Sequence, residues 1–339
     1  MVVKVAINGF GRIGRCLFRF LEEDPKVVHI NEVIGGAETG AYLLQFDSIH
    51  GTYSKEVEAA ADDSGFSVNG RFISYSGEKT IEAVDWANKG VQVVCDCTGV
   101  FLTKAKLAPY FAAGVSRVVV SAPVKEEGVL NVVVGVNDHL LSTDHTICTA
   151  ASCTTNCLAP VVKVVHENLV IKHGSITTIH NVTGTQPLID MVMTKKKDLR
   201  RCRSGMTNLC PTSTGSATAI TNIFPELKGK LNGMAIRVPL LNASITDCVF
   251  EVEKATTKEE VNALMKAASK EGSLKGVLGF ETRALVSCDY TNDERSGIVD
   301  ADSTMVVNGT CVKLYVWYDN EWGYSKRMAE LVTKVSAMV

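Results

Sequence analysis

The 339-residue chain carries 35 Lys and Arg against 37 Asp and Glu, a formal charge of -2, with 46% hydrophobic and 21% charged residues. At ~150 residues per domain this fits two domains with substantial cores and excludes a disordered or fibrous chain. There is no cationic excess for gripping a phosphate backbone, so nucleic acid is not expected as a primary partner. No apolar run reaches the ~18 residues a membrane span needs, and no secretory or transit-type leader is evident, so a cytoplasmic location is expected. The 11 cysteines follow no disulfide spacing and read as reduced thiols.

Residues 4–8 form a short apolar strand that runs into Gly9-Phe10-Gly11-Arg12-Ile13-Gly14, and an amphipathic helix follows through Leu21. Residues 27–31 read as the next strand and end beside Glu32. A Gly-x-Gly-x-x-Gly turn between strand and helix lets the backbone approach a pyrophosphate at the helix N-terminus. Glu32 is placed to accept hydrogen bonds from ribose hydroxyls, and its charge disfavours a 2'-phosphate, so NAD is preferred. Further β-branched runs at residues 91–95, 117–121 and 131–136 alternate with helical stretches. The pattern predicts a parallel, doubly wound, Rossmann-type α/β sheet over residues 1–151.

Beyond residue 150 the texture changes. Residues 174–180, 234–239 and 244–253 are longer and more alternating, which predicts a mixed, largely antiparallel sheet in an α+β domain over residues 152–319. Thr257-Lys258-Glu259-Glu260 has the Thr-x-x-Glu form of a capping box and opens a helix through Ser269. Residues 325–335 read as a terminal helix, and the segment 320–339 is expected to complete the first domain.

Ala151-Ser152-Cys153-Thr154-Thr155-Asn156-Cys157 places polar capping residues before the apolar stretch 158–169. A cysteine in a helix's first turn has its thiolate stabilised by the macrodipole and free N–H groups. It still needs a base, and His180, at the end of a strand-like run, is the best candidate. A zinc site on Cys153 and Cys157 lacks two further ligands at metal spacing, so no metal is expected. Composition and spacing thus stop at a dinucleotide enzyme with a candidate cysteine nucleophile.

Taken together, several strings resemble the phosphorylating glyceraldehyde-3-phosphate dehydrogenases. They are Ile7-Asn8-Gly9-Phe10-Gly11-Arg12-Ile13-Gly14-Arg15, Ala151 to Asn156, Thr212-Ser213-Thr214-Gly215, and Trp317-Tyr318-Asp319-Asn320-Glu321-Trp322-Gly323-Tyr324. The resemblance spans essentially the whole chain. It implies a glycolytic, NAD-linked oxidoreductase that acts as a homotetramer on a triose phosphate. Cys153 would form a thiohemiacetal and then a thioester, with His180 as base, and inorganic phosphate would release 1,3-bisphosphoglycerate. By resemblance Thr183 and Arg201 bind the substrate phosphate, Ser152, Thr154, Thr214 and Gly215 the attacking phosphate, and Arg237 reaches both. Asn320 would hold the nicotinamide carboxamide, and Arg12 and Ile13 the pyrophosphate through their backbone. Lys79, Thr98 and Ser121 join Gly9, Gly11, Gly14 and Glu32 as cofactor-binding residues.

The chain departs from the family pattern in places. The second strand ends in Asn31-Glu32 where Asn-Asp is usual, and the run Lys195-Lys196-Lys197 keeps NADP open. Gly35-Gly36-Ala37-Glu38 and Leu240-Leu241-Asn242-Ala243-Ser244 resemble versions of the enzyme associated with arsenate resistance, which would make arsenate the acyl acceptor. Two further alternatives are oxidation of erythrose 4-phosphate and a non-catalytic nucleotide- or RNA-binding protein on the same fold.

Overall fold

The structure, a computed structural model, describes residues 2–21, 26–192 and 198–339; the Lys195–Lys197 run lies outside them. The chain divides into two compact units. One takes the residues up to Val134 with Asp138–Ser152 and Ser325–Val339, and the other holds Gly135–Asn137 and Cys153–Tyr324. Among the described residues no helix is long and apolar enough to cross a membrane.

The first unit is built on β1 (Lys4–Asn8), α1 (Arg12–Leu21), β2 (Lys26–Asn31), α2 (Gly36–Gln45), β3 (Val57–Ala59), β4 (Gly65–Val68), β5 (Arg71–Ser76), β6 (Val93–Asp96), α3 (Lys104–Ala112), β7 (Arg117–Val120), β8 (Leu130–Asn131) and β9 (Ile147–Thr149). The nine strands stand in the order β3-β4-β5-β2-β1-β6-β7-β9-β8. Every pairing from β5 to β8 is parallel, and only the edge ribbon β3-β4-β5 is antiparallel. Ala6, Val94, Val118 and Val120 pack with Trp86, Leu107 and Tyr110, all at most 3% exposed. Buried on both faces, such strands read as continuous apolar runs instead of alternating ones. Chain order reverses at β1, with β2 on one side and β6 on the other. The loops leaving β1 and β6 therefore part at a topological switch point, where α/β sheets bind ligands. This is the doubly wound Rossmann-type sheet the sequence predicts.

One expected strand is corrected. Of the 131–136 run only Asn131 lies in a strand, β8; Val132 keeps one backbone hydrogen bond, to Thr149 O at 2.8 Å, and the remainder turns away. Asn131 uses its amide on Val124 N and O and on the Thr149 hydroxyl, and Gly135 follows at φ 81. Side-chain hydrogen bonding and a left-handed backbone outweigh the β propensity of Val132, Val133 and Val134.

The second unit continues with α4 (Cys153–Leu169), β10 (Ile171–Asn181), β11 (Cys210–Ser213), α5 (Ser216–Ile223), β12 (Leu231–Val238), β13 (Ser244–Val252), α6 (Lys258–Lys270), β14 (Leu278–Glu281), β15 (Gly297–Asp300), β16 (Met305–Val307) and β17 (Cys311–Tyr318). The last helix, α7 (Trp322–Ser336), belongs to the first unit from Ser325 onward. The eight-stranded sheet of the second unit runs β11-β12-β10-β13-β17-β15-β14, with β16 beside β17. It is mixed, with β10–β12 and β14–β15 parallel and the other pairs antiparallel. β13 and β17 alternate strictly between buried and half-buried residues, as the sequence alternation predicts. At α6 the Thr257 hydroxyl accepts from Glu260 N, but the Glu260 carboxylate takes the Thr256 hydroxyl, not the cap N–H.

Candidate active site

In the first unit each glycine of the turn has its own reason. Gly9 leaves β1 at φ +93, and a Cβ there would stand 2.7 Å from Cys97 C and Thr98 N. A Cβ on Gly14 would collide with the Gly9 carbonyl oxygen, whereas one on Gly11 would meet nothing within 4 Å. The tight turn thus fixes two glycines and leaves the face of the third open. Glu32 closes the loop from β2, with Oε2 accepting from Phe10 N at 2.7 Å and Oε1 from Ile34 N at 3.2 Å. The Arg12 side chain is committed to Asp47 at 2.5 Å. Burial would raise the Asp47 carboxyl, but hydrogen bonds from Arg12 and from His50 and Ile49 N prevail and hold it well below the usual range. Ile13 lies in the first turn of α1, Lys79 is exposed in the turn after β5, and Ser121 follows β7 with its N–H on Asp96 O.

Thr98, after β6, donates through N and Oγ1 to Asp96 Oδ1 at 3.1 and 2.7 Å. Burial pushes Asp96 up to about 6, against hydrogen bonds from Thr98 and Tyr110. A folded-state value above the unfolded one favours the neutral carboxyl, so this contribution is present at low pH and lost as pH rises through about 6. Relative to Asp96→Asn, the wild type should gain up to ~3 kcal/mol between about pH 7 and about pH 4. Urea unfolding of both proteins at the two pH values checks this, and an unchanged difference would contradict it.

In the second unit α4 begins at Cys153, so the half-buried thiol sits in its first turn. β10 carries Thr178 and His180 two residues apart on one face, and His180 lies opposite Arg237 of β12 in parallel register. Cys153 Sγ is 3.7 Å from His180 Nε2 and 4.0 Å from Thr154 Oγ1. His180 Nδ1 is 2.9 Å from Asn181 O and 2.7 Å from Arg237 Nη1, and that guanidinium also donates to Asn181 O at 3.2 Å. Arg237 Nε is buried with no hydrogen-bond partner, which suits a cation built to receive an oxyanion.

Burial, then the Arg237 charge, push the His180 imidazole down to about 3. Burial raises the Cys153 thiol above its ordinary value, while Arg237 and hydrogen bonds at Thr154 pull it back. The resting pair is therefore a neutral thiol facing a neutral ring, the arrangement of a nucleophile awaiting its base.

Cys153, His180, Arg237 and Thr154 thus come together. Arg201 is only 6% exposed, and its charge also acts on His180. The Thr154 hydroxyl is turned to Tyr318 at 2.9 Å, whose hydroxyl also meets Thr178 at 2.7 Å. Ser152 immediately precedes α4, Thr183 pairs its hydroxyl with Thr185 at 3.1 Å, and Thr214 bonds Ser216 beside Gly215, the N-cap of α5. Asn320, 5% exposed, accepts from the Ser244 hydroxyl at 3.3 Å. Reading the sequence missed the supports: Asn181 O behind the imidazole and the Tyr318–Thr178 pair behind Thr154. The signal for Tyr318 was present in the period-two pattern of β17, which turns it inward.

A glycine-turn nucleotide unit and a thiol–imidazole unit define an NAD-linked oxidoreductase. Residues 3–104 match the family described as "Glyceraldehyde 3-phosphate dehydrogenase, NAD binding domain", and residues 152–320 the one described as "Glyceraldehyde 3-phosphate dehydrogenase, C-terminal domain". A relative named glyceraldehyde-3-phosphate dehydrogenase 3, from Nostoc sp., is 57% identical over 339 residues, covering 99% of each chain. Glyceraldehyde-3-phosphate dehydrogenase 1 of Bacillus subtilis is 45% identical over 339 residues, again 99% of each. The chain belongs to the glyceraldehyde-3-phosphate dehydrogenase family.

Proposed function

We propose that the chain oxidises D-glyceraldehyde 3-phosphate with NAD and inorganic phosphate, forming 1,3-bisphosphoglycerate through a thiohemiacetal and a thioester on Cys153. The observation that carries this reading is the Cys153 thiol 3.7 Å from His180 Nε2, at the start of α4 and beside Arg237. Neutral Nε2 takes the Sγ proton as sulfur attacks the aldehyde carbon, and the resulting N–H faces the new oxygen. An oxyanion that engages Arg237 frees Nδ1–H to donate to Asn181 O, the tautomer that leaves Nε2 as acceptor. When phosphate attacks the thioester carbonyl, sulfur leaves as thiolate and recovers its proton from His180. Arg237 and Arg201 are the charges that hold the phosphate groups, with Ser152, Thr154, Thr183, Thr214 and Gly215 around them by resemblance.

NAD, when bound, supplies the hydride acceptor. The residues present fit it: a Cβ on Gly11 would meet nothing within 4 Å, and α1 begins at Arg12 directly after the turn, so the positive end of its dipole suits a pyrophosphate. Glu32 brings a negative charge where NADP would place a phosphate. Gly9, Gly14, Lys79, Thr98, Ser121 and Asn320 complete the proposed cofactor set. Leu188, Ile189, Val192, Leu199 and Leu209 are each at least 72% exposed, which supports a homo-oligomer, by resemblance a tetramer. A cytoplasmic location accords with the reduced thiols.

The test is NADH formation from D-glyceraldehyde 3-phosphate with phosphate present, omitted or replaced by arsenate. Turnover that requires an oxyanion is expected, and a rate indifferent to both would remove the thioester route. Arg237→Leu should raise the KM for aldehyde and for phosphate by ~10- to ~100-fold, since a charge-assisted pair is lost. Unchanged KM values would take the oxyanion away from Arg237.

A further inference from the structure

A chain of buried polar side chains runs beneath the switch point of the first unit, and from Asn31 through Asn8 and Tyr110 each donates to the next until the chain ends on Asp96. Glu78, in the turn after β5, reads the Asn31 amide with its backbone: its N–H donates to Oδ1 and its C=O accepts from Nδ2, both at 2.9 Å. The Ser76 hydroxyl adds a second donor to Oδ1 at 2.7 Å. That pins the orientation of Asn31, whose Nδ2 then donates to Asn8 Oδ1 at 2.8 Å. Asn8 Nδ2 donates to the Tyr110 oxygen at 2.5 Å, and the Tyr110 hydroxyl donates to Asp96 Oδ2 at 2.8 Å. Thr98 reaches the other carboxylate oxygen through N and Oγ1. Asn8, Asn31, Tyr110 and Asp96 are each no more than 4% exposed.

We propose that this relay makes Asp96 a positioning residue for the dinucleotide, coupling the Thr98 loop to the Glu78–Lys79 turn across β6, β1 and β2. The inference rests on the NAD reading of the glycine turn, since both loops flank it. The polarity is set at one end by backbone groups that cannot flip and at the other by a carboxylate that accepts only. An amide in place of the carboxylate turns an N–H toward the Tyr110 oxygen. The tyrosine proton must then point to Asn8, whose amide must rotate, and Asn31 after it. Asn31 so rotated would face Glu78 donor to donor and acceptor to acceptor. One atom exchanged at Asp96 is therefore felt at Glu78, because a buried network loses satisfaction as a unit.

The test compares wild type, Asp96→Asn and Tyr110→Phe, the last keeping its ring against Trp86 at 5.5 Å. In Asp96→Asn the amide hydrogen of Glu78 should exchange at least ~5-fold faster, although Glu78 has no hydrogen bond to the altered carboxyl. NAD affinity by calorimetry should weaken by ~5- to ~100-fold, with the KM for aldehyde unchanged. Tyr110→Phe breaks the relay in the middle and should move both readouts the same way; it carries the test where Asp96→Asn does not fold. Faster exchange confined to Thr98, with NAD affinity as in wild type, overturns the relay. Wild type that fails to bind NAD overturns the cofactor reading as well, whereas wild-type binding with both variants silent overturns the relay alone.

Discussion

Cys153→Ser is expected to lower NADH formation by at least ~10,000-fold while leaving the fold and NAD binding intact, because removing a nucleophile that acts as a unit with its base costs that much. Sulfur and oxygen differ little in size, and the first turn of α4 tolerates either. The chemistry differs because a hydroxyl is far harder to ionise than a thiol, and burial here opposes the charged form even of the thiol. A neutral His180 held near 3 by burial and by Arg237 is a weak base that suffices for a thiol and not for a hydroxyl. His180→Asn should cost less, ~100- to ~10,000-fold, since the thiol remains and loses only general-base help. The measurement is NADH formation under saturating aldehyde, NAD and phosphate, with NAD binding followed separately. Loss of turnover with NAD binding retained separates an enzyme from a nucleotide-binding protein on the same fold. Turnover within ten-fold of wild type in Cys153→Ser would remove Cys153 from the chemistry.

What the sequence made legible was local. The glycine turn, its strand and its helix lie within a few residues of one another, so spacing alone carries them. The thiol at a helix start is local too. The meeting of Cys153 with His180 is not local, because it depends on where α4 begins and on the parallel register that sets His180 beside Arg237. No periodicity within either segment encodes that register. The polar relay was hidden for the same reason: Asn8, Asn31 and Asp96 each end a strand, and only the strand order brings them into line. The β4–β5 hairpin was legible and went unread, since Asn69 and Gly70 take φ 46 and 79, the two positive values of a tight hairpin turn. The 131–136 run misled in the opposite direction. Its valines carry strand propensity, but one asparagine amide and one left-handed glycine decide the backbone there.

The glycine turn yields a second large effect, because its three glycines should respond differently to the same substitution. Gly14→Ala places a methyl against the Gly9 carbonyl, a backbone atom held at the end of β1 that has no side-chain freedom with which to retreat. The cost should be ~3 kcal/mol of stability, the upper part of the range for overpacking a rigid site. Gly9→Ala should be at least as damaging, since the new Cβ would stand 2.7 Å from Cys97 and Thr98 backbone and φ +93 is strained for any L side chain. Gly11→Ala meets no protein atom within 4 Å, so its melting temperature should match wild type. The methyl would instead fill space the turn leaves open, and NAD affinity should fall by ~10-fold or more, the scale of one misplaced methyl in a fitted site. Thermal melts and NAD titrations of the three variants are the measurement. If Gly11→Ala binds NAD as wild type does, the pyrophosphate does not lie against that face. If it binds poorly and melts early, the loss belongs to the fold, and Gly11 has no separate role toward the cofactor.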